Sequence, residues 1–303
     1  MIAGPRREPA VAAASPAAMG VRIRAARPDD APECGRILYE AFASVAIEHG
    51  FPPDFASVAV ATRNIEGLLA DPGFHGIVAE GDGRILGSTF LDERSTIAAI
   101  GPVSVDPVAQ NGHVGRALMN AMLERVAERR FPGVRLVQIA YHNRSVSLYA
   151  KLGFEVRESL VAIHGEPLRF AVPGYDVRPA TATDEAACNA LCREVHGHDR
   201  AGEVRDALAA GSAGVVERLG RITGYTTGIG YFSHSVAETN DDLEALIAAA
   251  DDFGRPGFIV PLSNAHLFRW CLAQGLQVFF VMNLMTVGLY QHPEGAYLPS
   301  IGY

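Results

Sequence analysis

Positive charge is scarce in this chain: 26 lysines and arginines stand against 34 aspartates and glutamates, for a net charge of −8. That balance leaves no basic footprint for nucleic acid, and it suits a cationic or neutral substrate. Long apolar runs are also lacking. No stretch approaches the ~18 consecutive apolar residues of a membrane span, so no membrane association is expected. Residues 1–20 are rich in Ala and Pro, but Arg6, Arg7, Glu8, Pro9 and Pro16 interrupt the apolar core that a secretory signal needs. The segment reads as a disordered tail. Cysteine is sparse as well. Cys188 and Cys192 could share a helix face, yet nothing nearby completes a metal site, so no metal is expected. With Cys34 and Cys271 they read as reduced core cysteines of a cytoplasmic protein.

What the chain does have is apolar mass for two cores: 303 residues, 49% of them hydrophobic. It also carries one plan twice. Arg24, Ala26, Asp30 and Cys34 recur as Arg178, Ala180, Asp184 and Cys188, at an offset of 154 (Arg24 to Arg178). Each set reads as a short strand, a polar turn and a helix. Gly83-Arg84-Ile85-Leu86-Gly87 recurs as Gly220-Arg221-Ile222-Thr223-Gly224, a glycine hairpin at an offset of 137 (Arg84 to Arg221). Gly153-Phe154 and Gly275-Leu276 each end a helix before a β-rich run. Three matches in the same order imply duplication. The expected class is α/β, with two units (21–168 and 169–303), each a mixed, mostly antiparallel sheet with helices on both faces. Expected elements include strands at 95–105, 134–140, 154–163, 230–236 and 277–288, and helices at 112–130 and 144–152. Gly165, Pro167, Pro173 and Gly174 mark the junction.

The stretch Gln110-Asn111-Gly112-His113-Val114-Gly115-Arg116-Ala117 follows an apolar strand that ends at Val105. An amphipathic helix comes next, with Val114, Leu118, Met119, Met122, Leu123 and Val126 at helical spacing. The first N–H groups of a helix have no intrahelical partner, and the helix dipole favours an anion beyond them. Glycine lets the backbone approach a diphosphate, and Arg116 can add a charge-assisted bond. The plainer reading is a strand–turn–helix connection with no ligand. A second stretch, Asn143-Arg144-Ser145-Val146-Ser147-Leu148-Tyr149-Ala150-Lys151-Leu152-Gly153-Phe154, leads from a strand into a short helix.

Together these stretches resemble the GNAT superfamily of N-acetyltransferases, with its Gln/Arg-x-x-Gly-x-Gly/Ala loop and its Asn and Tyr six residues apart. The resemblance implies that the amides of Gln110 to Ala117 hold the pyrophosphate of acetyl-coenzyme A. It implies that the backbone at Val103, Ser104 and Val105 pairs with the pantetheine arm, that Asn143 hydrogen-bonds it, and that Tyr149 protonates the departing thiolate. One position departs: the family's first glycine falls on His113, whose side chain would crowd a phosphate or shift the loop. The strand also lacks the carboxylate that many relatives carry, having Ile97, Ala98, Ala99 and Ile100 there. Asp92, Glu93, His142 or a water chain is left as the base, with Asp92 and Glu93 read first as a solvated turn.

The second unit resembles the same fold without its chemistry. Its equivalent loop, 235–244, has no glycine and carries Glu238, Asp241, Asp242 and Glu244, with Thr239 or Asn240 as a helix cap. Cys271 or Trp270 stands where the tyrosine would be. Such a unit would shape the amine pocket or a homodimer face. His49-Gly50-Phe51-Pro52-Pro53-Asp54-Phe55 and the ending 293–303 look like one bacterial group of tandem GNAT proteins, which makes His49, Phe51 and Phe55 candidate acceptor contacts. Two readings stay open: an N-acetyltransferase acting on an amine of a small molecule or peptide, and a non-catalytic acyl-CoA or ligand sensor.

Overall fold

The structure, a computed structural model, describes residues 20–302. The tail expected at 1–20 lies, except for Gly20, outside the described residues. The first half runs β1 (Arg22–Ala25), α1 (Ala31–Glu48), α2 (Val58–Ala70), β2 (Phe74–Gly81), β3 (Arg84–Asp92), β4 (Ala98–Val105), α3 (Val114–Glu128), β5 (Gly133–Ile139), α4 (Asn143–Lys151) and β6 (Glu155–His164). The second half repeats the plan as β7 (Asp176–Pro179), α5 (Glu185–His196), α6 (Ala201–Ala210), β8 (Gly214–Arg218), β9 (Arg221–Thr226), β10 (Ser235–Ala237), α7 (Asn240–Ala249), β11 (Phe258–Pro261), α8 (Ala265–Ala273) and β12 (Gln277–Gly288), then adds β13 (Ala296–Leu298).

The sequence repeat has a structural meaning. Arg24 grips Asp30 with both terminal nitrogens, at 2.7 and 2.9 Å, and donates Nε to Glu80 across the sheet at 2.6 Å. Arg178 does the same to Asp184, at 2.8 and 3.0 Å, and donates Nε to Glu217 at 2.9 Å. Each aspartate also caps its turn, accepting from the backbone N–H of Arg27 or Thr181. Both arginines therefore fasten a first strand to the helix behind it and to the neighbouring strand.

α3 covers one sheet face with Val114, Leu118, Met119, Met122 and Val126. α1 and α2 cover the other with Ile37, Leu38 and Ile65 over Val78 and Phe90. Those two helices touch closely at Gly35, where a Cβ would lie 2.5 Å from the Thr62 backbone. The four cysteines are buried and free. Burial pushes the thiols up, Cys34 to about 11 and Cys188 and Cys271 to about 12.

The strands divide into an eight-stranded sheet, β1-β2-β3-β4-β5-β12-β6-β11, and a five-stranded sheet, β13-β10-β9-β8-β7. The large sheet contains a reciprocal exchange. β12, from the second half, pairs antiparallel with β5, from Met282 opposite Ile139 to Gly288 opposite Gly133. β6, from the first half, pairs antiparallel with β11, and β6 and β12 pair with each other. Side chains follow the strands. Met285 on β12 joins the first core beside Leu118 and Met122, while Val161 and Ile163 on β6 join the second beside Leu243 and Phe258.

Two expectations need correction. The strand expected at 230–236 shrinks to β10, because Thr226 and Thr227 tie off a turn: Thr226 Oγ1 donates to the Gly228 carbonyl at 2.6 Å and Thr227 N–H to the His234 carbonyl at 2.9 Å. β13 was not expected as a strand, and it pairs with β10 at Val236–Tyr297. Among the described residues no helix is long and apolar enough to cross a membrane.

Candidate active site

The site begins where the large sheet opens. β4 and β5 run parallel but pair only at Ala98–Val134 and Ala99–Arg135. Beyond that point each strand is held from its other side, β4 by β3 and β5 by β12. The β5-facing edge of Val103–Val105 is thus left without a strand partner among the described residues. A cavity of about 2310 Å³ fills the gap and extends over α2 and into the second half.

The loop between β4 and α3 forms one end of this cavity. Asp106 anchors its start, accepting from Val108 N–H at 3.0 Å and pairing with Arg36 at 3.0 Å. The chain then takes left-handed conformations at Asn111 (φ 72°) and at His113 (φ 64°), the residue that caps α3. His113 thereby adopts the backbone for which a glycine is usually needed, and histidine tolerates it better than most residues. No side chain caps α3 and its first turn has no acidic residue, so no carboxylate competes for its leading amides. Gln110, Asn111, His113, Val114, Gly115 and Arg116 line the cavity, as do Val103 and Val105. Gly112 and Ala117 do not border it. Neither does Ser104, whose hydroxyl lies 3.2 Å from that of Ser88 on β3. Arg144, at the start of α4, reaches over the loop and donates to Gln110 Oε1 and Asn111 Oδ1, both at 2.9 Å. Sequence reasoning passed over Arg144. Its place directly after Asn143, opposite the loop, was the available signal.

Across the gap, Asn143, Leu148 and Tyr149 of α4 line the same cavity. Tyr149 is 8% exposed and packs on Phe154 at 6.0 Å between ring centroids. Burial holds its phenol well above the usual range, so it stays protonated. The His142 ring also lines the cavity. Burial first, then Arg144 and His49, lowers its pKa, which leaves a neutral imidazole at neutral pH. The other two candidate bases are corrected here, because neither sits in a solvated turn. Asp92 takes Nε and NH2 of Arg94 at 2.9 and 2.6 Å, and Glu93 takes Nε and NH2 of Arg125 at 2.5 and 3.0 Å. Both carboxylates are largely buried and committed to arginines.

The segment between α1 and α2 forms the far wall. Phe55 lines the cavity, whereas His49 and Phe51 sit behind it, each stacked on the Tyr141 ring at 4.8 Å. Asp54, overlooked within a stretch whose neighbours were singled out, lines the cavity with Tyr141, Tyr231 and Phe279. The last two come from the second half. In that half, the equivalent helix start is closed. Thr239 caps α7 in a capping box with Asp242, Asp242 is fully buried, and Glu238 is paired with Arg221. Cys271 lies in the core.

Residues 35–154 match the model of the acetyltransferase (GNAT) family. Over that stretch the chain is similar to a family whose chemistry is acyl transfer. The whole chain also superposes on solved structures. A Pyrococcus horikoshii protein assigned to the acetyltransferases matches with a TM-score of 0.74 at 17% identity, over 96% of this chain and 98% of that one. A GCN5-related N-acetyltransferase from Sphaerobacter thermophilus matches with a TM-score of 0.63 at 18% identity, over 90% and 96%. A tandem GNAT protein from the clavulanic acid biosynthesis pathway matches with a TM-score of 0.55 at 15% identity, over 88% and 98%. Identities this low establish the fold, which is the tandem GNAT arrangement. No curated protein matches the chain in sequence.

Proposed function

We propose that the chain is an acetyl-coenzyme A-dependent N-acetyltransferase acting by direct attack of an amine. One juxtaposition carries this reading: an uncapped helix start, an unpaired strand edge and a buried tyrosine share a single cavity. The residues fit the cosubstrate. The amides of Gln110, Asn111 and His113 to Gly115 would take the pyrophosphate, with Arg116 adding charge. The free edge at Val103–Val105 offers backbone groups to an amide-bearing arm, with Asn143 opposite. When bound, acetyl-coenzyme A supplies an activated acetyl group.

The chain's residues supply position and protons. The two walls of the gap hold an amine beside the thioester, which replaces a bimolecular encounter by a bound one. Neutral His142 can accept a proton from an incoming ammonium. The protonated Tyr149 phenol can donate to a departing thiolate. Tyr149→Phe should lower kcat by about 100-fold, the lower end for a lost general acid, with acetyl-coenzyme A affinity kept within about twofold. The assay is thiol release over an amine panel, with calorimetry for the cosubstrate. Cosubstrate binding without turnover on any amine would favour the sensor reading, and no binding at near-millimolar coenzyme would sink both.

A further inference from the structure

The wall opposite the phosphate loop carries a charge that nothing answers. Asp54 lies on the segment joining α1 to α2 and borders the cavity. Its side chain is exposed rather than packed in a core. Among the described residues no hydrogen bond or ion pair reaches its carboxyl group. The protein mass around the cavity pushes the carboxyl up to about 6, and no arginine, lysine or histidine offsets it. Asp92, Glu93, Asp106, Glu238 and Asp242 each have an arginine or a hydroxyl partner. Two rings sense the Asp54 charge, because it helps raise both the Tyr141 and the Tyr231 phenols. Tyr141 comes from the turn between β5 and α4 and Tyr231 from the turn before β10. Behind them Phe51, Phe279 and Phe280 continue the aromatic wall, with centroids 4.8 to 6.1 Å apart.

An unpaired carboxylate in a cavity lined by aromatic rings is a receptor for a cation that is apolar elsewhere. The carboxylate supplies a charge-assisted bond, and ring faces attract an alkylammonium through their quadrupoles. A group with its own carboxylate beside the amine would meet like charge. Arg63 and Arg255 also border the cavity, but neither contributes to the electrostatics of Asp54.

We infer that the acceptor is a primary amine bound as its ammonium ion and carried on an apolar, ring-bearing or hydrocarbon body, with Asp54 as its counter-ion and Tyr141 and Tyr231 as its flanking walls. This deepens the acetyl-transfer reading and rests on it for the identity of the bound amine as acceptor. The second half gains a role from it, since Tyr231 and Phe279 complete a pocket that the first half cannot close alone.

The test separates amine recognition from catalysis by measuring binding directly. Calorimetry on the full chain with coenzyme A present would compare 2-phenylethylamine and n-hexylamine with phenylalanine, for wild type, Asp54→Asn and Asp54→Glu. Wild type should bind the two simple amines at least about tenfold more tightly than phenylalanine. Asp54→Asn should weaken them by about 10- to 100-fold, the value of one charged hydrogen bond, and leave coenzyme A affinity unchanged. Asp54→Glu should recover part of the loss. A melting curve should show Asp54→Asn at least as stable as wild type, since an uncompensated charge is removed. Equal amine binding by Asp54→Asn, preference for phenylalanine, or no binding of either simple amine at millimolar concentration would each overturn the inference. Binding as expected without acetyl transfer to these amines would leave the pocket standing and remove the enzymatic reading.

Discussion

The exchange of β6 and β12 predicts that the two halves unfold as one, and a single truncation tests it. Leu118 is fully buried on α3, in the first core, where Met285 of β12 also packs. Leu118→Ala should cost about 2–5 kcal/mol from lost burial and the cavity left behind. For about 300 residues, an unfolding entropy near 2.1 cal/mol/K per residue gives roughly 0.6 kcal/mol/K, so the melting temperature should fall by about 3–8 °C. The reporter is in the other half. Trp270, the sole tryptophan, sits on α8 against the second core. Its emission should melt in one step that coincides with the far-ultraviolet circular dichroism, and both midpoints should drop together. Disrupting the first core unseats β12, and β12 cannot leave without exposing β6. A Trp270 midpoint that stays within about 1 °C of wild type while the dichroism splits into two steps would refute this reasoning.

Two more outcomes follow from local geometry. His113→Gly trades the left-handed penalty of an L-residue, about 1 kcal/mol, against a similar gain in unfolded-chain entropy; stability should hardly move while coenzyme A binds as well or better. His113→Val puts a β-branched side chain in that conformation and should lower both the melting temperature and coenzyme affinity, read by scanning and titration calorimetry; wild-type behaviour would refute the assigned loop shape. Arg24 and Arg178 hold the Asp30 and Asp184 carboxyls below the usual range. A lowered folded pKa means stabilisation that is complete above the ordinary aspartate value, about 4, and withdrawn as pH falls below it. The melting temperature should therefore decline below about pH 4, and Asp184→Asn should flatten that decline.

The parts of this molecule that read plainly from sequence are those whose cause is local. Arg24 and Arg178 stand six residues from their aspartates, so a matched spacing already contained a matched ion pair. The face of α3 was legible because Val114, Leu118, Met119, Met122 and Val126 follow the helical period. Tyr149 and Asn143 were found through a resemblance in one continuous stretch, and both line the cavity. Where the cause is distant, the reading failed. Asp92 and Glu93 look like a solvated turn until Arg125, on α3, is brought beside Glu93. β12 reads as any β-rich run, and nothing in its own residues says that its partner is β5. Asp54 gains meaning only from Tyr231, which is far along the chain and in the other half. Pairing across a junction is decided by which apolar faces can be buried together, and a pattern within one segment does not encode it.

The crossed strands also bear on why a half with a closed loop, and with Cys271 or Trp270 where the first half has Tyr149, is still there. A chain whose halves fold side by side can lose one of them and keep the other folded. Here, removing residues after the junction would strip β5 of its neighbour and leave β6 with nothing to lie against. Each half is a structural hostage of the other, and the second is kept in place by the backbone ladder it provides.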